Sequence, residues 1–288
     1  MRSPAHALRA LLGLLFAVAD CALAQTAPPS TPPPSFANYG FASELGSGVY
    51  SISGRTVQIY QIPLKFNLRE ASPQQTYPVA LDLLVPVTVG FFNFQTTDVT
   101  RFKVPTQVGE VSVEPGVQLD YRLTPMWHLY PYAKGGGAFT ASSNSDALIY
   151  DFGLRSEYRF VGASGAVVYH ADLGHAGVHY TAQVPPGISR NDSFSRLRDA
   201  VEWRRNIGWT IGDRHVEVSP YGIMDIYLDP PSASALGIAR RAVQLETGVM
   251  FGVTPMWQIH GITLPRLGIS YRVAGEFSGW RLSIGDPF

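Results

Sequence analysis

The most constraining feature of this sequence is a set of long segments in which apolar and polar residues alternate. In VALDLLVPVTVGF, residues 79–91, every second side chain from Val79 to Phe91 is apolar, while Asp82 and Thr88 fall on the other side. The same alternation recurs at residues 111–123, 147–160 and 243–253. A period of two residues indicates a β-strand with two different faces. The chain is therefore predicted to be all-β.

The length of these segments favours a membrane barrel. Strands in soluble proteins usually have about five or six residues, whereas a tilted strand needs roughly 9–11 residues to cross a bilayer. Only a closed barrel pairs every backbone group in lipid. The apolar face would then contact lipid and the charged face would line the interior. A soluble β-sandwich with long strands is the alternative.

The N-terminus predicts export. MRSPAHALRALLGLLFAVADCALAQ has two arginines, a short apolar core and a small-x-small site at Ala22 and Ala24, the pattern of a signal peptide cleaved before Gln25. Lipidation of Cys21, the only cysteine, is an alternative, but Asp20 stands where such sites need a small residue. We predict a signal peptide at residues 1–24, a Pro-rich extended leader at 25–46 and a barrel at 47–288.

The charge content argues against nucleic acid as a partner. Charged residues make up 15% of the chain and the formal net charge is +0, whereas soluble domains average about 25% charged residues. No strong field of either sign is expected, so no nucleic-acid binding is predicted.

A short repeat orients the predicted barrel. LTPMWHL at 123–129 recurs as VTPMWQI at 253–259, and each repeat joins two alternating segments. Short turns of membrane barrels lie on the periplasmic side, so we predict periplasmic turns with the residues Thr124, Pro125, Trp127, Thr254, Pro255 and Trp257. Six strands fit between the two turns and twelve fit in the whole chain. They are predicted at 47–53, 56–69, 79–91, 108–123, 127–139, 147–160, 165–181, 197–208, 215–228, 241–253, 257–273 and 279–287.

Both ends of the predicted barrel resemble a known family. GVYSISGRTVQIYQIPLKFNLRE, followed by VALDLLVPVTVGFFNF, resembles the start of the solitary outer-membrane autotransporter-like β-domain, and LPRLGISYRVAGEFSGWRLSIGDPF resembles its C-terminal hairpin. The resemblance covers about residues 47–288. It implies a transmembrane antiparallel up-and-down β-barrel in the outer membrane of a Gram-negative bacterium. Its members are similar to autotransporter translocators but carry no passenger.

The final strand also resembles an assembly signal. Trp280, Leu282, Ile284 and Phe288 occupy alternate positions, as in the β-signal that the barrel assembly machinery reads in outer-membrane proteins. Asp286 departs from this pattern, since an apolar residue is usual there. The resemblance therefore implies two kinds of partner, namely the assembly machinery at the C-terminal strand and outer-membrane lipids with lipopolysaccharide around the barrel.

Charged residues on the polar face of the strands are predicted to point into the barrel. They are Asp82, Asp120, Arg122, Asp151, Arg155, Glu157, Glu202, Arg204, Glu246 and Arg272. Both signs are mixed, whereas an ion-selective pore is expected to carry a ring of one sign. The mixture predicts either a salt-bridged, largely filled interior or a weakly selective pore.

No catalytic, cofactor or metal motif emerges from the sequence. His170 and Asp172 share one face of a predicted strand and His175 and His179 share the other, so one strand supplies at most two metal ligands where a site needs three or four. We therefore predict a non-enzymatic barrel without a cofactor or metal, either structural or channel-like. Two alternatives remain. One is a lipid-modifying enzyme, and the other is an adhesion or receptor module acting through external loops at 92–107 and 182–196.

Overall fold

The computed structural model describes residues 45–52, 55–72, 78–94, 110–139, 146–162, 165–181, 190–229, 243–256, 258–259, 262–263, 265–274 and 277–288. The predicted signal peptide and nearly all of the predicted leader lie outside these ranges, as do Trp257 and most of the predicted external loops. These assignments stay predictions. Within the described ranges, no helical segment combines the length and the hydropathy of a bilayer span.

The described chain is almost entirely β-structure. Its strands are β1 (Gly48–Ile52), β2 (Arg55–Arg69), β3 (Val79–Phe94), β4 (Glu110–Val113), β5 (Gly116–Thr124), β6 (Trp127–Phe139), β7 (Ala147–Gly162), β8 (Gly165–Tyr180), β9 (Asn191–Ile211), β10 (Arg214–Asp229), β11 (Val243–Thr254), β12 (Gln258–Ile259), β13 (Ile262–Thr263), β14 (Leu267–Ala274) and β15 (Phe277–Ile284). Their alternating side chains and β-branched residues suit a pleated sheet with two different environments.

The strands close into a twelve-stranded antiparallel barrel. Each main strand pairs with its neighbours in chain order, and β15 pairs back onto β1 through Arg281 and Gly48. The strands β4 and β5 count as one, because both lie between β3 and β6 and are separated only by residues 114–115. The pair β12–β13 forms a separate small sheet. The predicted fold, strand number and antiparallel arrangement are confirmed.

The interruption between β4 and β5 occurs at Glu114 and Pro115. Proline has no N–H to donate to a ladder, so strand interiors tolerate it only at edges and bulges. Here the N–H of Glu114 donates to the carbonyl of Pro86 at 3.1 Å, and the N–H of Gly135 donates to the carbonyl of Pro115 at 3.0 Å. The interruption therefore keeps its backbone hydrogen bonds, and the register with β3 and with β6 is the same on both sides of it.

Several predicted boundaries are wrong. The external loop predicted at 92–107 begins too early, because β3 extends to Phe94. The strand predicted at 257–273 starts too early, because β14 spans Leu267–Ala274 and the short hairpin β12–β13 precedes it. Prolines at 255 and 265 flank this hairpin and cannot donate ladder hydrogen bonds. The predicted external loop at 182–196 also ends too late, because β9 starts at Asn191. The first residues of β9 are polar, and they pair with β8 beginning at Asn191, which lies opposite His179.

The two faces of the barrel differ sharply in chemistry. Large apolar side chains are exposed on the outer face, among them Ile62, Leu64, Phe66, Leu119, Phe152, Leu154, Phe160, Leu173, Trp203, Leu245, Phe251, Tyr271, Trp280 and Leu282. The alternate positions are buried, and half of the buried side chains are polar or charged. The distribution is the inverse of that in a soluble protein, in which apolar side chains are buried and charged ones are exposed.

Candidate functional site

A continuous network of buried ion pairs crosses the interior of the barrel. Asp172 on β8 accepts a hydrogen bond from Arg196 on β9 at 3.0 Å. Arg198 on β9 holds Asp225 on β10 through two hydrogen bonds of 2.6 and 3.0 Å. Arg196 also lies 3.8 Å from Asp225, which joins these two pairs. Opposite charges thus connect three neighbouring strands on their inner side.

The network continues from β10 to the last strand of the chain. Arg272 on β14 contacts Glu246 on β11 at 2.6 Å and Asp225 on β10 at 3.5 Å. Arg281 on β15 donates to the same glutamate at 3.0 Å. Arg272 is only 1% exposed. Isolated charges so deeply buried would cost several kcal/mol each, so the pairing is required for the interior to exist.

Smaller clusters occupy the rest of the wall. Lys134 contacts Asp151 at 2.6 Å, and Lys65 contacts Asp82 at 2.9 Å. Near the turn that follows β5, Asp120 holds both Arg122 at 3.2 Å and His128 at 2.9 Å. Charges of both signs therefore alternate around the interior, with no ring of one sign among the described residues.

The ten charges predicted to face inward divide into three groups by exposure. Asp82, Asp151, Glu202, Glu246 and Arg272 are buried. Asp120, Arg155, Glu157 and Arg204 are half-buried. Arg122 is exposed. The structure pairs Glu246 with Arg272 and Glu202 with Arg204. Asp82 and Asp151 instead form ion pairs with lysines that were not among the predicted charges.

The centre of the network was not predicted from the sequence. Arg196, Arg198, Asp225 and Arg281 were not among the predicted charges, although all are buried or half-buried on the inner side. A signal was available for the first two, because they share the parity of Glu202 on the same strand. Arg196 was missed because β9 was predicted to start at 197, inside the true strand, whereas Arg198 lies within the predicted strand and was overlooked.

The C-terminal tail enters the barrel. The strand β15 ends at Ile284, and Gly285 turns the chain with a φ of 93°, which is open to glycine but strained for other residues. The ring of Phe288 then packs on His170, with centroids 3.9 Å apart, and on Tyr221, at 5.9 Å. Arg281 donates to the carbonyl of Pro287 at 2.9 Å. The four-residue segment Gly285–Phe288 is called the C-terminal tail below.

This tail changes the geometry of the predicted assembly signal. Trp280, Leu282 and Ile284 are exposed on the outer face as the alternation requires. Phe288 does not continue that row, because the turn at Gly285 places its ring inside against Ala200, Tyr221, Ile223 and Met250. The role of these four residues in assembly stays a prediction, since it concerns the chain before it folds.

A cavity of ≈ 470 Å³ lies between the tail and the opposite wall. Its lining includes Lys134, Asp151, Arg155, Glu157, Arg196 and Asp286. Charged groups of both signs therefore surround a space large enough for a small polar molecule or a group of water molecules.

The predicted periplasmic turns lie at one end of the barrel. The Oγ1 of Thr124 accepts hydrogen bonds from the N–H groups of Met126 at 3.2 Å and Trp127 at 3.0 Å. The indole N–H of Trp127 donates a hydrogen bond to the Oγ atom of Ser156 at 2.9 Å. At the second turn, Arg214 donates to the carbonyl of Pro255 at 2.5 Å, while Thr254 ends β11. The end that carries these two turns is called the turn end.

The outer face carries one serine–histidine contact. The Nδ1 atom of His175 lies 2.9 Å from the Oγ atom of Ser195, and the histidine ring packs beside Tyr150 and Phe152. No carboxylate among the described residues forms a hydrogen bond with His175. His179 contacts Asn191 at 2.6 Å further along β8.

Comparison with known proteins identifies the fold. No protein-family model and no curated protein sequence matches the chain. Among solved structures, the β domain of the Bordetella autotransporter BrkA superimposes with a TM-score of 0.51 at 13% sequence identity, covering 82% of this chain and 95% of that one. The barrel has the fold of an autotransporter β-domain. The fold that the sequence resemblance implied is thereby confirmed.

Proposed function

We propose that this protein is an outer-membrane barrel that catalyses no reaction and whose interior is closed in its resting state. The observation that carries the proposal is the inverted distribution of its side chains, with large apolar residues outside and paired charges inside. In this proposal the protein reaches the outer membrane of a Gram-negative bacterium through a cleaved signal peptide, and its turn end faces the periplasm.

The outer face supports a lipid environment. Soluble monomers rarely expose contiguous apolar patches larger than a few hundred Å², whereas exposed apolar side chains occur here on β2, β7, β8, β9, β11, β14 and β15. Lipid tails and the acyl chains of lipopolysaccharide would cover this surface. Aromatic side chains near the turn end, where Trp127 and Tyr158 pack 6.4 Å apart, fit the aromatic girdle at a membrane interface.

The interior supports a closed barrel over an open channel. Ion pairs connect six strands across the wall, and the C-terminal tail packs over His170. Twelve strands enclose a lumen that side chains and one segment are able to fill. The cavity of ≈ 470 Å³ beside the tail has the size of a small-molecule pocket. We therefore propose a structural barrel related to translocators.

Single-channel recording of the refolded mature chain in a planar bilayer tests this function. We expect no discrete current steps from protein whose folding is shown by a heat-shifted band on a gel. Regular steps from the folded wild-type barrel would contradict the closed interior and favour the channel interpretation. The mixed interior charges around Arg155 and Glu157 would then be the first candidates for selectivity.

Lipid ester hydrolysis is a second candidate function, supported only by the contact between His175 and Ser195. A serine hydroxyl beside a histidine is the arrangement that activates a serine nucleophile. The pair lies on the outer face among apolar side chains, where a lipid would reach it. Release of fatty acid from vesicles, abolished by Ser195→Ala in a barrel that still folds, would support this candidate. Equal rates with and without the protein would exclude it.

A further inference from the structure

His170 is a buried histidine without a hydrogen-bond partner. It lies on the inner side of β8 with 2% of its surface exposed. Neither its Nδ1 nor its Nε2 atom forms a hydrogen bond, and the Oε2 atom of Glu157 lies 4.0 Å from Nδ1. Leaving a buried polar group unsatisfied costs about 1–3 kcal/mol. Such a group calls for an explanation, and an ion or water at the site is one.

Two carboxylates converge on this imidazole. One ligand atom each of His170, Glu202 and Asp286 lies within 4.8 Å of the others. Glu202 comes from β9, where it pairs with Val168, two residues before His170 on β8. Asp286 comes from the C-terminal tail. The three groups are therefore brought together by two adjacent strands and by the turn of the tail into the barrel.

We propose that His170, Glu202 and Asp286 bind a divalent transition-metal ion of the zinc class, which fastens the C-terminal tail inside the barrel. One imidazole nitrogen and carboxylate oxygens are donors that zinc accepts, with water completing a four-coordinate site. Ligands about 2.0–2.2 Å from zinc in a tetrahedron stand roughly 3.4 Å apart. The three groups must therefore approach by about 1 Å, and Asp286 is the exposed one of the three.

The surrounding charges leave room for a cation. Arg204 uses the Oε2 atom of Glu202 at 2.8 Å, while Arg266 contacts Oε1. A carboxylate oxygen has two lone pairs, so Oε1 keeps one for a metal. Glu157 adds a further negative charge near His170. Arg155, Arg204 and Arg266 act in the opposite direction, so the affinity should be moderate rather than that of a structural zinc finger.

The ring of Phe288 would cover such a site. It lies 3.9 Å, between centroids, from the imidazole of His170 and joins the apolar cluster of Tyr221, Ile223 and Met250. An apolar shell around a metal limits the access of water and strengthens the electrostatic attraction between the ion and its ligands. The site requires only the barrel wall and the C-terminal tail, so zinc would bind whether or not the barrel conducts ions.

Calorimetric titration of the refolded, tag-free mature barrel with Zn²⁺ tests the site. We expect about one equivalent to bind, with affinity at least about tenfold weaker in His170→Ala and in Asp286→Asn. The matched control is His175→Ala, which removes an outward-facing histidine on the same strand and should leave binding unchanged. Asp286 is exposed, so Asp286→Asn keeps the test valid even if His170→Ala fails to fold.

Digestion with a serine carboxypeptidase gives an independent result, because it reports on the tail. Zn²⁺ should slow the release of Phe288 from the wild type but not from Asp286→Asn. The proposal is overturned if the folded wild type binds no Zn²⁺, as would occur if only water fills the site. It is equally overturned if His175→Ala weakens binding as much as Asp286→Asn does.

Discussion

At the scale of single residues, the interior depends on arginines that each serve more than one carboxylate. Arg272 contacts both Glu246 and Asp225, and its side chain is almost fully buried. A buried pair is often no more stable than an apolar replacement of both partners, but removing one partner leaves an uncompensated charge. The network is thus more sensitive to single substitutions than to paired ones.

Replacement of Arg272 by methionine should destabilise the barrel strongly. Glu246 and Asp225 would lose a partner in a buried environment, with an expected cost of about 3–5 kcal/mol. The matched control is Arg159→Met, since Arg159 is exposed and contacts Glu157 at 3.4 Å; it should cost less than about 1 kcal/mol. Urea unfolding in lipid vesicles, followed by tryptophan fluorescence, measures both. Similar midpoints for the two variants would show that the buried network does not stabilise the fold.

At the scale of the strand, β6 is shaped by the interruption between β4 and β5 opposite it. The residues Gly135–Gly137 lie beside the gap between β4 and β5, where Val113 pairs with Gly137 and Gly116 pairs with Lys134. A Cβ atom on Gly136 would lie 1.8 Å from the carbonyl oxygen of Val113, whereas one on Gly135 would lie 3.8 Å from its nearest neighbour. Only the middle glycine is required by a close approach of the backbone.

The two glycines offer a matched pair of substitutions. Gly136→Ala should hinder folding, because a backbone carbonyl must move by more than an ångström to admit the methyl group, and overpacking typically costs about 1–3 kcal/mol. Gly135→Ala should fold like the wild type. The heat-shifted fraction on a gel after refolding at several urea concentrations compares them. Equal folded fractions would contradict the proposed contact between β4 and β6.

The C-terminal tail offers a test of what closes the interior. A chain ending at Ile284 lacks the ring over His170 and the hydrogen bond from Arg281 to Pro287. We expect the truncated barrel to refold in vitro and to show current steps. If the full chain also conducts, the steps of the truncated barrel should be larger. The point variant Asp286→Asn keeps Phe288 and is the control for the loss of charge alone. Identical currents from the full and shortened chains would mean that the tail does not close the pore.

At the scale of the whole molecule, the barrel replaces a central apolar core by an outer apolar surface. Its closure depends on β15 meeting β1, a contact between the two ends of the described chain. The N–H of Leu282 also donates to the carbonyl of Ser47 at 2.8 Å. Closure leaves the barrel without a long unpaired strand edge at this seam, as lipid requires.

The proposed membrane location makes a depth-dependent prediction. Leu154 lies in the middle of β7, and Phe160 lies close to the turn end of the barrel. Both side chains are exposed on the outer face. An arginine on the lipid face costs about 2–4 kcal/mol at the bilayer centre and about 0–1 near the interface. Leu154→Arg should therefore unfold in vesicles at a lower urea concentration than Phe160→Arg. If both variants match the wild type, the outer face does not contact lipid and the proposed membrane location is wrong.

The sequence by itself determined the strand period, the number of strands and the two faces of the barrel. Alternation is a local property, because successive side chains of a strand point to opposite sides whatever the rest of the chain does. The apolar positions from Val79 to Val89 and the charges at Glu202 and Arg204 were therefore assigned to their faces from sequence alone. The strand boundary at Asn191 was missed because pairing with β8, rather than local composition, extends β9.

Only the tertiary structure decided which inward side chains meet. Parity places a charge inside, but its partner depends on the register between strands and on the closure of the barrel. Thus Arg272 reaches Asp225 across an intervening strand, and His170 meets a carboxylate from β9 and another from the C-terminus. The sequence analysis had rejected a metal site because one strand supplies too few ligands. Closure and the turn at Gly285 bring the remaining ligands from elements that are distant in the chain, and such contacts leave no periodic signal in the sequence.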